Sequence, residues 1–166
     1  MDLHKREYAT MVEKQREHLY RLAYCYVKNQ QDALDIVGES VYRGLIHLHS
    51  LREKEKFSAW MDRIVVHTAL DRLRKGSHLE PWDEEAAAQV PAAEKDLSAE
   101  EEIDLYGALD LLSPEERTYI ILRFFEDYSF REMGEILGKP ESTIKSRMAR
   151  ILNQLRRQLE TREVRK

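Results

Sequence analysis

Between Ser129 and Pro140 the sequence leaves the backbone few choices. Ser129-Phe130-Arg131-Glu132 has the pattern of a capping box. Its serine side chain accepts from the N3 amide, and its glutamate reaches back to the serine amide. Gly138 follows at a distance that allows one short helix, and glycine is the residue that ends a helix in the left-handed conformation. Pro140 comes two residues later. Its fixed φ suits the first turn of a new helix and cannot continue the old one. Upstream, Ser113-Pro114-Glu115-Glu116 gives a second start signal, with proline at N1 and glutamate at N3. Over the whole chain breakers are scarce: 6 Gly and 4 Pro in 166 residues, with 35% charged residues. That balance predicts an all-α chain.

The first half reads as three amphipathic helices. Tyr8, Val12, Leu19, Leu22 and Tyr26 recur at helical spacing in the first, up to Asn29-Gln30-Gln31. Asp32 is a suitable cap for the second, whose expected inward stripe is Leu34, Val37, Val41, Leu45 and Leu48. The third runs from Phe57 to Lys75, with Phe57, Trp60, Ile64 and Leu70 or Leu73 inward, and stops at Gly76. In the last helix Ile144, Met148, Ile151 or Leu152, Leu155 and Leu159 form the inward stripe. Residues 78–97 hold two prolines, an alanine run and no sustained stripe, with at most a short helical piece at Glu84–Gln89. The expected organisation is two small helical domains, 1–77 and 98–166, joined by a flexible acidic linker over 78–97.

The net charge of −4 conceals local contrasts. Residues 1–77 are net +3, residues 78–97 are net −5, and residues 140–166 are net +5. One cysteine, Cys25, allows neither an internal disulfide framework nor a cysteine-based zinc finger. The longest apolar run is Leu22 to Val27, too short to span a bilayer. The opening MDLHKREYAT lacks the apolar segment of a signal peptide, so a cytoplasmic location is expected. No nucleophile elbow, P-loop, HExxH or GxGxxG stands in the chain. Neither an enzyme nor a cofactor is expected.

Three constellations carry functional content. Residues 129–158 form a helix-turn-helix, with Ser142, Lys145, Ser146, Ala149, Arg150 and Asn153 away from the apolar stripe and Arg147 at its edge. Small, hydroxyl and cationic groups near the start of the second helix suit a DNA groove; an ordinary solvated face is the plainer alternative. The helix Phe57–Lys75 combines Trp60 with Arg63, Arg72, Arg74 and Lys75, a composition suited to unpaired bases. Phe57 and Trp60 are nonetheless read as core anchors. Asp32, Asp35 and Glu39 share one helix face by their spacing of three and four. No acidic residue precedes any histidine by three positions, and His47 and His49 point apart on a helix, so no metal site is expected. The carboxylates read as solvated or facing a basic partner. His4, His18, His47, His49 and His78 read as ordinary surface or boundary histidines.

In this order the segments DALDIVGESVYRGL (32–45), FSAWMDRIVVHTALDRLRK (57–75) and LSPEERTYIILRFFEDYSFREMGEILGKPESTIKSRMARILNQLR (112–156) resemble bacterial sigma factors of the extracytoplasmic-function group. LYRLAYCYVKNQQDALDIV and ILRFFED look similar to the sigma-V-type members. The resemblance implies a promoter-specificity subunit of RNA polymerase. Asp32, Asp35 and Glu39 match the motif facing the β′ clamp. Arg63, His67, Asp71 and Arg72 match the segment at the −10 element. Ser142, Thr143, Lys145, Ser146, Arg147 and Arg150 match the helix that reads the −35 element, in a domain that also holds the β flap. A membrane-anchored anti-sigma factor is an implied partner, together with the core enzyme and promoter DNA.

Two residues depart from the family pattern. Gly38 stands where glutamine is usual, at a helix-propensity cost of about 1 kcal/mol. His67 stands where many members carry asparagine, and either base reading or packing in the bundle accounts for a histidine there. A stand-alone helix-turn-helix regulator and a helical anti-sigma or adaptor protein are the rival readings. The pairing of an acidic face with an aromatic-basic helix over residues 32–75 argues against the first. The basic tail and the capped helix-turn-helix argue against the second.

Overall fold

The computed structural model describes residues 2–76 and 107–164; the expected linker and its helical piece lie outside them. The chain divides into two compact units, Met1–His78 and Leu79–Lys166. The described residues form helices and turns, with no strand among them.

In the first unit the expected single opening helix is two, α1 (Asp2–Lys14) and α2 (Arg16–Val27). The break falls at Gln15, whose ψ of 9° leaves the helical range. It separates Tyr8, whose hydroxyl donates to the Val41 carbonyl at 2.6 Å, from the buried set Leu19, Leu22, Ala23, Cys25 and Tyr26. Tyr8 also meets Phe57 and Trp60 edge-on. Burial pushes its hydroxyl pKa up to about 12.

Helix α3 (Gln30–Ile46) is capped by Asn29 and not by Asp32. The Asn29 side chain accepts from the Asp32 amide and donates to the Asp32 carboxylate, both at 2.8 Å. Asp32 therefore occupies the N3 position, three residues after the cap. The inward face of α3 differs from the expected stripe. Ala33, Ile36, Ser40 and Gly44 are buried, while Leu34 and Leu45 are exposed and Val37 and Val41 half-buried. Small residues win the inward face because they let α3 sit close to its neighbours, and Ser40 satisfies its hydroxyl on the Ile36 carbonyl at 2.6 Å.

Two short 3₁₀ turns, Leu48–Ser50 and Lys54–Lys56, lead into α4 (Phe57–Gly76). It buries Phe57, Met61, Val65, Val66, Ala69 and Leu70. Trp60 is half-buried and donates to Ser50 Oγ at 3.0 Å, so it anchors the connection as well as the core. His18 is more than a boundary histidine: its Nε2 lies 2.9 Å from Oδ1 of the fully buried Asp62, tying α2 to α4.

In the second unit the Ser113–Glu116 box opens α5 (Pro114–Ile120) as expected, with both reciprocal bonds made. The helix does not simply continue. Ile121–Phe125 forms a π-helical turn, closed by Glu126 N–H donating to the Ile121 carbonyl at 3.0 Å. One extra residue per turn shifts the face, so Ile121 and Leu122 are buried while Phe124 is half-buried and Phe125 exposed. The chain reverses at Asp127, with φ of 58°, into α6 (Phe130–Leu137). The last helix, α7 (Glu141–Val164), buries Ile144, Met148, Ile151, Leu152 and Leu155.

Candidate nucleic-acid and protein interfaces

The α6–α7 pair is built by its capping chemistry. Glu132 N–H donates to Ser129 Oγ at 3.1 Å, and Ser129 N–H donates to Glu132 Oε1 at 3.0 Å. The bond from the Ser129 amide holds the Glu132 carboxyl below its ordinary pKa. Gly138 ends α6 at φ of 67° and donates to the Gly134 carbonyl. Gly134 is needed for a different reason: a Cβ there would lie 2.6 Å from the Lys139 carbonyl oxygen. That absence of a side chain lets the turn fold back against α6 and sets where α7 starts. Met133 and Ile136 of α6 are buried.

The first turns of α7 then present Ser142 and Lys145 to solvent, with Thr143, Ser146 and Arg150 half-exposed. Lys145 rests 3.5 Å from Glu141, and Ser146 Oγ donates to the Ser142 carbonyl at 3.0 Å. These are weak, exposed contacts that a phosphate can replace. Two residues grouped with this face lie inward. Ala149 is buried, and so is Arg147, 3% exposed. Arg147 Nη1 donates to the Tyr119 hydroxyl at 2.9 Å, across α7 and α5. The edge of the stripe is on the core side, so Arg147 does not stand with Lys145 and Arg150.

In the first unit, Arg63 and His67 are exposed on α4, and the structure thus places His67 outside the bundle core. Asp71 and Arg72 are engaged by α3. Arg72 Nη2 lies 3.1 Å from Asp35 and 3.7 Å from Asp32. Arg43 bridges Glu39 at 2.8 Å and Asp71 at 3.0 Å. The expected polymerase-facing carboxylates and two of the expected −10 residues thus form one charged seam between α3 and α4. Arg43 carries no role in the sequence reading, although its i,i+4 spacing from Glu39 signals the pair. Beside the seam α3 exposes Leu34, Tyr42, Leu45 and Ile46, with Tyr42 64% exposed. Four large apolar side chains on one outward helix face, next to carboxylates, suit a protein partner.

The chain matches the family models for Sigma-70 region 2 over residues 11–78 and Sigma-70 region 4 over residues 108–157. It is 40% identical over 150 residues to RNA polymerase sigma factor SigV of Bacillus subtilis (strain 168), covering 90% of this chain and 89% of that protein. The ECF RNA polymerase sigma factor SigW of the same organism is 30% identical over 165 residues, at 92% and 88% coverage. The chain belongs to the extracytoplasmic-function sigma factors. The fold agrees with the sigma factor RpoE of Bartonella quintana, solved in complex with the anti-sigma factor NepR, at a TM-score of 0.65, 23% identity and coverage of 93% and 97%. In this sigma factor the region 2 match spans the α3–α4 seam, and the region 4 match spans α5 to most of α7. No helix among the described residues is long and apolar enough to cross a membrane.

Proposed function

We propose that the chain is an alternative sigma factor that directs core RNA polymerase to a specific set of promoters and initiates transcription there. The observation that carries this reading is the coexistence, in one chain, of a capped helix-turn-helix and a helix α3 whose outward face pairs exposed apolar residues with carboxylates. A stand-alone DNA-binding regulator has no use for the second surface.

On this reading Asp32, Asp35 and Glu39, flanked by Leu34, Tyr42 and Leu45, receive the β′ clamp. Arg63 and His67 face the −10 strand, with Asp71 and Arg72 behind them on the seam. Ser142, Thr143, Lys145, Ser146 and Arg150 contact the −35 duplex, and the second unit also holds the β flap. Cationic and hydroxyl groups hold phosphates, and arginine suits guanine edges. The protein works in the cytoplasm and is held in reserve by a membrane-anchored anti-sigma factor. With a net charge of −4, the free chain has a small electrostatic term for duplex DNA, so specific binding emerges in the holoenzyme. The test is run-off transcription from a promoter library by purified core polymerase with and without the protein. Enrichment of promoters sharing −35 and −10 elements is the expected outcome. Tight sequence-specific binding to duplex by the protein alone, without stimulation of polymerase, overturns the reading.

A further inference from the structure

The second unit contains a charged side chain that the reading above leaves unused. Arg147 lies on the recognition helix, two residues from Lys145 and three from Arg150, yet is 3% exposed. Its Nη1 donates to the hydroxyl of Tyr119 on α5, 28 residues away in sequence and itself 3% exposed. A guanidinium keeps its charge at every accessible pH, and a buried charge needs a directed acceptor. The apolar neighbours Ile144, Met148 and Ile151 are buried too, and their burial is favourable without being directional. A hydrogen bond of 2.9 Å is directional and weakens steeply once donor and acceptor are misaligned. Rotation of α7 is what decides where Lys145, Ser146 and Arg150 point. A guanidinium this enclosed does not reach a base edge or a phosphate.

We propose that Arg147 and Tyr119 are a positioning pair: the Tyr119 hydroxyl fixes the axial rotation of α7, and the pair thereby determines −35 specificity without touching DNA. The proposal rests on the sigma-factor reading of α7 and goes beyond it, since it moves Arg147 from the reading face to the support behind it and brings in Tyr119 from another helix.

The experiment uses the full chain with core polymerase, a library of −35 elements, and promoter binding followed against salt. Tyr119→Phe removes one oxygen and keeps the ring. It is expected to narrow the preference for the best −35 sequence over single mismatches by about fivefold, the scale of one lost hydrogen bond. The −10 preference and the salt slope stay unchanged. Arg147→Met is expected to narrow it at least as much, and the double variant to be no worse than Arg147→Met alone. A fall in salt slope of about one unit for Arg147→Met marks a lost phosphate contact and overturns the proposal. A lower melting temperature for Tyr119→Phe with unchanged −35 preference makes the pair merely structural and also overturns it. Should Arg147→Met fail to fold, Tyr119→Phe alone decides. If the natural chain shows no −35 preference with polymerase, the sigma-factor reading falls first and takes the proposal with it.

Discussion

Gly38→Ala should stabilise the first unit. Gly38 is in the middle of the 17-residue α3, exposed, and a Cβ built there has no heavy atom within 4 Å. No overpacking term opposes the gain. What remains is the backbone entropy that glycine loses in a helix interior, about 0.5–1 kcal/mol relative to alanine. For a unit of this size that raises the melting temperature by about 2–8 °C. The sharper assay is hydrogen exchange of the α3 amides, which should slow about two- to fivefold if they open with the unit. Exchange that is unchanged or faster refutes the reasoning, because it means that Gly38 serves a backbone conformation the structure does not contain. A second arm separates fold from interface. Gly38 lies between Leu34 and Tyr42 on the outward face, so Gly38→Gln should also stabilise α3 relative to glycine. Only the longer side chain should change affinity for core polymerase. Equal polymerase affinity for the natural chain, Gly38→Ala and Gly38→Gln would remove this face from the docking surface.

Other outcomes follow from single contacts. Ser129→Ala deletes one half of the α6 box and should cost the second unit about 1 kcal/mol, read by denaturant unfolding. The Glu132 half depends on pH. Its folded pKa is depressed, so its contribution is present above the unfolded carboxyl range near 4.5 and is lost as pH falls through the lower folded value; amide exchange in α6 should quicken there and not between pH 5 and 8. A double-mutant cycle on Arg43→Ala and Asp71→Ala should return a coupling of about 0.2–1 kcal/mol that shrinks in 1 M salt, as both groups are partly solvated; a coupling indifferent to salt contradicts an ionic seam. His67→Asn should leave stability within about 0.5 kcal/mol, as expected at an exposed site, while shifting base preference in a −10 library. A clear stability loss with unchanged preference would show that the exposed ring is structural.

The legible parts of this chain are those fixed by local chemistry. Both serine boxes, the Gly138 stop and the helix after Pro140 are set by hydrogen-bonding rules spanning four to six residues, and the structure realises them at those positions. The illegible parts depend on tertiary partners. Apolar spacing runs straight through Gln15, because nothing local marks the turn that lets Tyr8 reach Val41. The π turn at 121–125 leaves no mark in periodicity beyond a shifted face. Arg147 reads as an edge residue in the sequence because an acceptor of its guanidinium, the Tyr119 hydroxyl, is 28 residues away.

Helix α3 is the deepest of these differences, and it bears on function. Its most hydrophobic line, through Leu34, Val37, Val41 and Leu45, is not the face that the fold buries; that face is Ala33, Ile36, Ser40 and Gly44. A periodicity argument assumes that a sequence is selected to bury its apolar stripe within its own chain. Here the small residues serve close packing within the unit, and the large ones remain on and beside the outer surface with the carboxylates. Such an arrangement costs solubility and gains no stability in the isolated chain; under the proposed function, a partner covers Leu34, Tyr42 and Leu45 in the assembled state. Substituting these three with polar residues should therefore leave the melting temperature of the free protein within about 0.5 kcal/mol equivalents for each site, while weakening association with core polymerase by at least tenfold for the triple variant, on the scale of about 1.4 kcal/mol per decade. Loss of folding instead, with polymerase affinity of the residual folded protein unchanged, would mean that α3 buries the stripe its periodicity predicts.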